Sequence, residues 1–292
     1  MAAPTVRVRI GFTSNEFTLD DLVRGVLDTG ELGGGVTLSD VTSDAQSISV
    51  NRGRSRDLDS FSTGNARIRL LNNARKYENT NTASPYYPGI EPLIVLHIDA
   101  TTDGGSNYED IFVGFVTDIA LSYPDSSNSF ADFSASDGFM KLANTALINA
   151  SFGSQTSGVL VSSVLDNANV KYSTNRNIEA GVSTMQSLSG VSENTLSVLQ
   201  KIERSENGLL FMDRSGSLQF KSRHTTFPST PSATFSDDGS DVPYLQVNYI
   251  NDDNEIYNIV NLTRIGGSAQ QTEDIASQGK YLIRTLQRSG LY

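Results

Sequence analysis

Short apolar runs of period two dominate this chain and limit what it can fold into. Near the start Val6, Val8 and Ile10 alternate with Arg7 and Arg9. The pattern returns at Ile48 and Val50, at Ala66, Ile68 and Leu70, from Leu93 to Ile98, from Ile111 to Leu121 and from Phe130 to Ala135. Successive side chains of an extended segment point to opposite faces, so each run predicts a strand with one apolar and one polar face. Gly, Asn, Asp and Pro clusters separate the runs. DGGS at 103–106 predicts a hairpin connection, and Ser126 to Asn128 another turn. Residues 1–145 are therefore expected to form a mostly antiparallel sheet or barrel.

The period changes after Ser136. SDGFMKLANTAL offers Ser136 and Asp137 as caps for a short helix bearing Phe139, Leu142 and Ala143, which is expected to close the first domain. SGVLVSSVLDNA (157–168) and SENTLSVLQKIERSENG (192–208) follow as amphipathic helices. In the second, Leu196, Leu199 and Ile202 share a face, Ser192 is placed to cap the start, and Asn207-Gly208 suits a left-handed stop. DRSG at 213–216 joins two alternating strands as a hairpin. Residues 146–225 thus read as a small α/β module. From about Phe227 alternation returns with Leu245, Val247 and Tyr249, then YNIVNLTRIGG (257–267), across the acidic turn NDDNE. The expected fold is mainly β with an α+β insert: one β domain over 1–145, the module over 146–225, and a second β domain over 226–292. The order has no fixed-period repeat.

Hydrophobic residues make up 37% of the chain and charged residues 19%, with Ser, Thr, Asn and Gly filling much of the rest, so helix should be the minority. Cysteine is absent, which excludes disulfides, thiolate nucleophiles, cysteine zinc sites and iron–sulfur clusters. MAAPTVRVRI lacks a basic start followed by an apolar run, and no later stretch reaches the ~20 apolar residues of a membrane-spanning helix. Folding in a cytoplasm is the expectation. A net charge of −11 argues against wrapping nucleic acid, whose phosphates are held by clustered Lys and Arg. It serves solubility, or a surface that must not hold DNA.

The residue types of catalysis are sparse. His97 and His224 are the two histidines; they lie far apart and without HxxxH or HExxH spacing, and His97 reads as an ordinary sheet residue. Asp237, Asp238 and Asp241, and Asp252, Asp253 and Glu255, are the densest carboxylate groups. They fall in turns, match no calcium-loop spacing and read as solvated connectors rather than a glycosidase pair. GELGGG at 30–35 lacks the lysine and the strand–helix context of a phosphate cradle, and no Gly-x-Ser-x-Gly elbow stands between a strand and a helix. No catalytic residue, cofactor or metal is assigned.

The long turn-rich run NTNTASPYYPGIEPLIVLHI (79–98) is the main candidate for function. Prolines at 85, 88 and 92 push Ser84, Tyr87 and Glu91 toward extended conformations, which predicts a semi-rigid loop. Tyr86 and Tyr87 put amphipathic rings on it, suited equally to a contact between subunits or to stapling the loop onto its own sheet. Pro85, Tyr86, Tyr87 and Pro88 are the interface candidates here. Arg52, Arg54 and Arg56 of RGRSR form a second group, able to pair with an acidic partner subunit or with Asp57 and Asp59 of their own chain.

The segment 40–98 resembles the N-terminal region of minor tail proteins of long-tailed bacteriophages, the tail-tip hub family. The likeness rests on NRGRSRDLDSF after a strand, ARIRLLNNARKYE as strand and turn, and the NTNTASPYYPGIEPL loop. It continues through IFVGFVTDI, FSASDGFMKLAN, SENTLSVLQKIERSENGLLFMDRSGSLQF and YNIVNLTRIGG, nearly the whole chain. Relatives often carry an acidic residue followed by proline where this chain has Glu78-Asn79, and their hub cores continue past the point of Tyr292, which leaves open whether the second barrel is complete. The resemblance implies two β-barrel-like tube domains set in a ring, a smaller peripheral domain, a homotrimer, and a structural place at the tail tip of the virion after assembly in the host cytoplasm. Two similar barrels in each of three subunits would meet a sixfold tail ring without gross mismatch. The partners implied are the distal tail protein ring, the tape measure protein, a central tail fibre or spike and the host cell envelope, with DNA passing through the lumen without sequence-specific binding. Two rival readings share these residues: the hub of a contractile injection or secretion machine, and a carbohydrate-binding adhesin or glycosidase at the virion tip.

Overall fold

The computed structural model describes residues 4–13, 36–55, 59–125, 128–172, 175–225, 233–244, 246–248, 253–254 and 256–292. Seven strands form one sheet: β1 (Thr5–Thr13), β2 (Val36–Asp40), β3 (Ala45–Gly53), β4 (Ser62–Leu71), β5 (Val95–Thr101), β6 (Glu109–Ser122) and β7 (Phe130–Ser136). Their spatial order is β2-β1-β5-β6-β7-β4-β3, and every neighbouring pair is antiparallel. The registers gather the alternating apolar residues on one face: Val8 opposite Ile98, Ile98 opposite Phe112, and Ile68 and Ile119 each opposite Phe133. With Ile10, Leu70, Leu96 and Tyr77 they make the first hydrophobic core. Among the described residues the ladder is open, ending at β2 and β3.

The turns between these strands are held by acidic side chains. Asp103 Oδ1 accepts from the Ser106 and Asn107 amides in the DGGS connection, as a short carboxylate at a turn does. Of the second predicted turn, 126 and 127 lie outside the described residues, and Asp125 accepts from the Asn128 amide. GELGGG also lies outside them.

A second core is built from α1 (Phe139–Ala143), β8 (Ala150–Phe152), β9 (Gln155–Thr156), α2 (Ser157–Leu165), β10 (Arg176–Ile178), β11 (Thr184–Met185), β12 (Leu188–Val191), α3 (Thr195–Glu206), β13 (Leu209–Met212) and β14 (Leu218–Lys221). Its centre is Leu160, Val164, Val198, Leu199, Ile202 and Phe220. Phe139 and Leu142 pack here, so α1 opens this core, where the sequence pattern placed it at the close of the first. Asp137, more than Ser136, anchors α1: it accepts from the Phe139 amide at 3.0 Å and from the Gly64 amide of β4 at 2.7 Å. In α3 the cap is Asn194, which accepts from the Ser197 amide, not Ser192. Asn207 ends the helix in the left-handed region, φ 55 and ψ 37. Asp213 holds the DRSG hairpin by accepting from the Ser215 and Ser217 amides.

The C-terminal part contains β15 (Phe235–Ser236), β16 (Val242–Pro243), β17 (Ile259–Arg264), β18 (Gln270–Glu273), α4 (Ile275–Tyr281) and β19 (Thr285–Leu291). β17 pairs antiparallel with β18 and parallel with β19, the parallel pairing being reached through α4, since parallel neighbours need a crossover. Leu262, Ile265, Ile275, Leu282 and Ile283 are exposed here, while Tyr292 reaches the second core. Phe227, Leu245 and Tyr249 lie outside the described residues, and Val247 is exposed and outside any strand.

Candidate interaction surface

The proline-rich loop is a cap of consecutive turns. Amides of Asn81, Ser84, Tyr87 and Gly89 donate in sequence to the carbonyls of Glu78, Asn81, Ser84 and Tyr86. Each bond closes a turn, and the chain folds back on itself. The root is fixed by Asn72, whose side-chain oxygen accepts from the Tyr77 amide at 2.8 Å, and by Asp44, which receives Tyr77 Oη at 2.5 Å and Lys76 Nζ at 2.6 Å. Burial opposes ionisation of Asp44, but the bonds from Lys76 and Tyr77 outweigh it and hold its pKa below the usual carboxylate value. Burial first, and then Asp44, push the Tyr77 phenol up, so it remains a donor.

The loop's two candidate tyrosines part company. Tyr86 lies between Phe12, at a centroid distance of 4.1 Å, and Tyr77, at 5.5 Å, and its ring closes over the first core. It is the staple of the loop. Tyr87 is exposed, as are Pro85 and Pro88 on either side of the pair.

The basic segment divides in the same way. Arg54 lies over the Phe61 ring at 5.4 Å, and Phe61 meets Phe211 of β13 at 5.1 Å, which joins the end of β3 to the second core. Arg52 is exposed beside a cleft of about 760 Å³ that Phe61, Tyr108, Phe211 and Arg214 also line. Its positive charge favours the ionised form of Asp137, but burial is the larger influence and pushes that carboxyl up to about 6. Arg56 and Asp57 lie outside the described residues.

The polar face of the first sheet is a ladder of charge pairs. Asp99, buried, accepts from Arg7 Nη2 at 2.8 Å and Arg9 Nη2 at 2.5 Å; burial alone would raise its pKa, and the two guanidiniums hold it below the ordinary value. Arg69 binds Asp132 through two parallel bonds of 2.9 Å. His97 bridges Arg9 and Asp110, its Nε2 at 2.6 Å from Asp110 Oδ1. Ligand atoms of His97, Asp99 and Asp110 lie within 4.8 Å of one another. Two arginines already neutralise Asp99, so a cation here would have to displace them, and the cluster reads as a structural network. His224 is exposed. Of the acidic groups, Asp238 accepts from Ser236 and Ser240 within its own turn, Asp253 pairs with Arg284, and Asp252 and Glu255 lie outside the described residues.

No protein-family model and no curated protein matches this chain. Among solved structures it is similar to the 43 kDa tail protein of prophage MuSo2 from Shewanella oneidensis, with a TM-score of 0.54 and 14% identity, covering 99% of this chain and 73% of that one. Prophage tail protein gp18 from Listeria monocytogenes gives 0.52 and 10% over 98% of this chain and 72% of its own. A tail protein from Neisseria meningitidis gives 0.52 and 10% over 98% and 71%. The chain has the fold of prophage tail proteins.

In this tail-protein fold the residues that position the candidate loop were invisible to spacing. Phe12, Asp44, Asn72 and Tyr77 come from separate strands and turns and meet only when β1, the turn before β3 and the end of β4 are brought together. A sequence signal existed for Asn72 and Tyr77, which lie within the turn-forming NNARKYE stretch (72–78), but nothing local tied either to Phe12.

Proposed function

We propose that this chain is a structural protein of a bacteriophage tail tip: a trimeric hub that joins the sixfold tail tube to the central spike or fibre and lets DNA out on infection. The observation that carries this reading is a prophage tail-protein fold over 98–99% of the chain, with the His97 cluster bound up in its own charge pairs. Two features support assembly. Among the described residues the first sheet ends in two edge strands, β2 and β3, whose outer backbone groups a neighbour would satisfy, and the C-terminal part exposes several large aliphatic side chains. Acidity suits a DNA passage, since carboxylates repel phosphates over about 10 Å at 0.1 M salt. Asp99 and Asp132 are neutralised by arginine, which leaves that role to exposed carboxylates such as Asp118, Asp238 and Glu273.

Light scattering on the purified chain at micromolar concentration should give the mass of three copies, and gold-labelled antibody should decorate the distal tail end of virions. A monodisperse monomer would overturn the hub, and label elsewhere on the virion would overturn the location. Release of reducing ends from host cell-wall polysaccharide would favour the glycosidase reading instead.

A further inference from the structure

A cleft of about 380 Å³ opens where the proline-rich loop ends, against α1 and the turn that follows α2, with Leu93, Met140, Val170, Tyr172, Lys141 and Lys171 on its walls. Leu93 is 58% exposed at φ 70, and Lys171 has φ 45. Both are side-chain-bearing residues held in the left-handed region, a cost normally found only where surrounding structure over-determines it. The cleft therefore presents a leucine to solvent on a constrained backbone.

Two lysines stand on its walls. Lys76 and Lys201 each have a carboxylate, Asp44 and Glu193. Among the described residues neither Lys141 nor Lys171 forms a salt bridge, and the Lys141 ammonium lies 3.4 Å from the centroid of the Phe115 ring. Burial alone lowers the Lys141 pKa, the mark of a cation that has given up water without gaining an anion. An apolar floor beside two ammonium groups that form no salt bridge among the described residues suits a carboxylate-bearing aliphatic segment.

The same chain displays one. Glu273 ends β18 and accepts from Gln278, Asp274 caps α4 by accepting from the Ser277 amide, and both keep an exposed side chain; Ile275, the first residue of α4, is 74% exposed. We propose that the Leu93–Lys141–Lys171 cleft of one copy receives Glu273, Asp274 and Ile275 of the next, the isoleucine seated among the apolar walls and the carboxylates facing the two lysines. This rests on the self-assembly reading above and names its contact. Cleft and segment are different surfaces, so the contact is head-to-tail, the kind that closes into rings when the rotation allows.

Sedimentation of the full chain tests it. Two charge-reversed proteins, Lys141→Glu with Lys171→Glu, and Glu273→Lys with Asp274→Lys, should each associate about tenfold or more weakly than the parent, as like charges then face each other. The quadruple variant should recover association, because every junction is again of opposite charge. Circular dichroism checks that each variant is folded. Parent assembly that neither variant weakens, or a quadruple variant that stays dissociated, overturns this contact while leaving the hub intact. A parent that is itself a monomer overturns both.

Discussion

Tyr86 stacks on Phe12 with ring planes inclined by 17°, while Tyr87, the next residue, stands 42% exposed. Two rings that the sequence presents as equivalent are thus an internal anchor and a displayed surface. Tyr86→Ala should destabilise the chain by about 2 kcal/mol, from lost burial and a lost aromatic pair, whereas Tyr87→Ala should stay within about 0.5 kcal/mol. Urea unfolding of the two variants separates them, and equal losses would contradict the geometry.

Asp99 ties Arg7 to Arg9 from beneath the sheet surface. Asp99→Ala leaves two guanidiniums facing each other and should cost about 2–3 kcal/mol, less than orphaning a fully buried charge because both arginines keep contact with water. Asp132→Ala should cost less, its partners Arg67 and Arg69 being the more exposed pair. The folded Asp99 carboxylate titrates below its unfolded value, so its contribution is complete above about pH 4 and is lost as pH falls through the folded value. Acid unfolding of Asp99→Ala should accordingly lack part of the parent's loss of stability below that pH.

Asp137 has the opposite sign. With its carboxyl pushed up to about 6, the folded chain binds a proton at this site that the unfolded chain releases near pH 4, so this group favours folding increasingly as pH falls from 7 toward 4. The full contribution is about 3 kcal/mol at most. Carbon-13 titration should show one aspartate carboxyl moving near pH 6, and the signal should vanish in Asp137→Asn.

Glu206 is buried with its acceptors filled: Ser157 Oγ donates at 2.9 Å, the Ser183 amide at 2.8 Å and the Val182 amide at 3.3 Å. Burial raises its pKa, and these donors outweigh that and bring it below the usual value. Glu206→Ala leaves three donors without a partner and should cost about 3 kcal/mol, read as a lowered thermal midpoint. At the neighbouring Gly158 a Cβ would lie 1.7 Å from the Glu179 carbonyl oxygen, so Gly158→Ala should disturb the same junction.

The strands of the first sheet were legible because their pattern is a property of each strand alone. Val8, Ile68 and Phe133 had to face one way whatever their partners. Their order in space, with β3 beside β4 at one edge and β5 beside β1 near the other, depends on pairings across up to about ninety residues, which no local period encodes. Helix positions were legible for the same local reason, yet caps were misplaced by two residues in α3, where Ser192 and Asn194 are both good acceptors and packing chose between them. In the C-terminal part, of the alternating Leu245, Val247 and Tyr249 only Val247 is among the described residues, and it is exposed there.

By itself the sequence determined that this chain would be mainly β, free of cysteine chemistry, acidic, and without a catalytic constellation of recognisable spacing, because composition and period act residue by residue. Only the tertiary structure decided that Tyr86 turns inward and Tyr87 outward, that α1 serves the second core, that Asp99 is neutralised by two arginines, and that Lys141 and Lys171 share a cleft with Leu93. Those outcomes depend on burial and on distances between residues remote in the chain, and charge and desolvation acquire their magnitudes only once those distances exist.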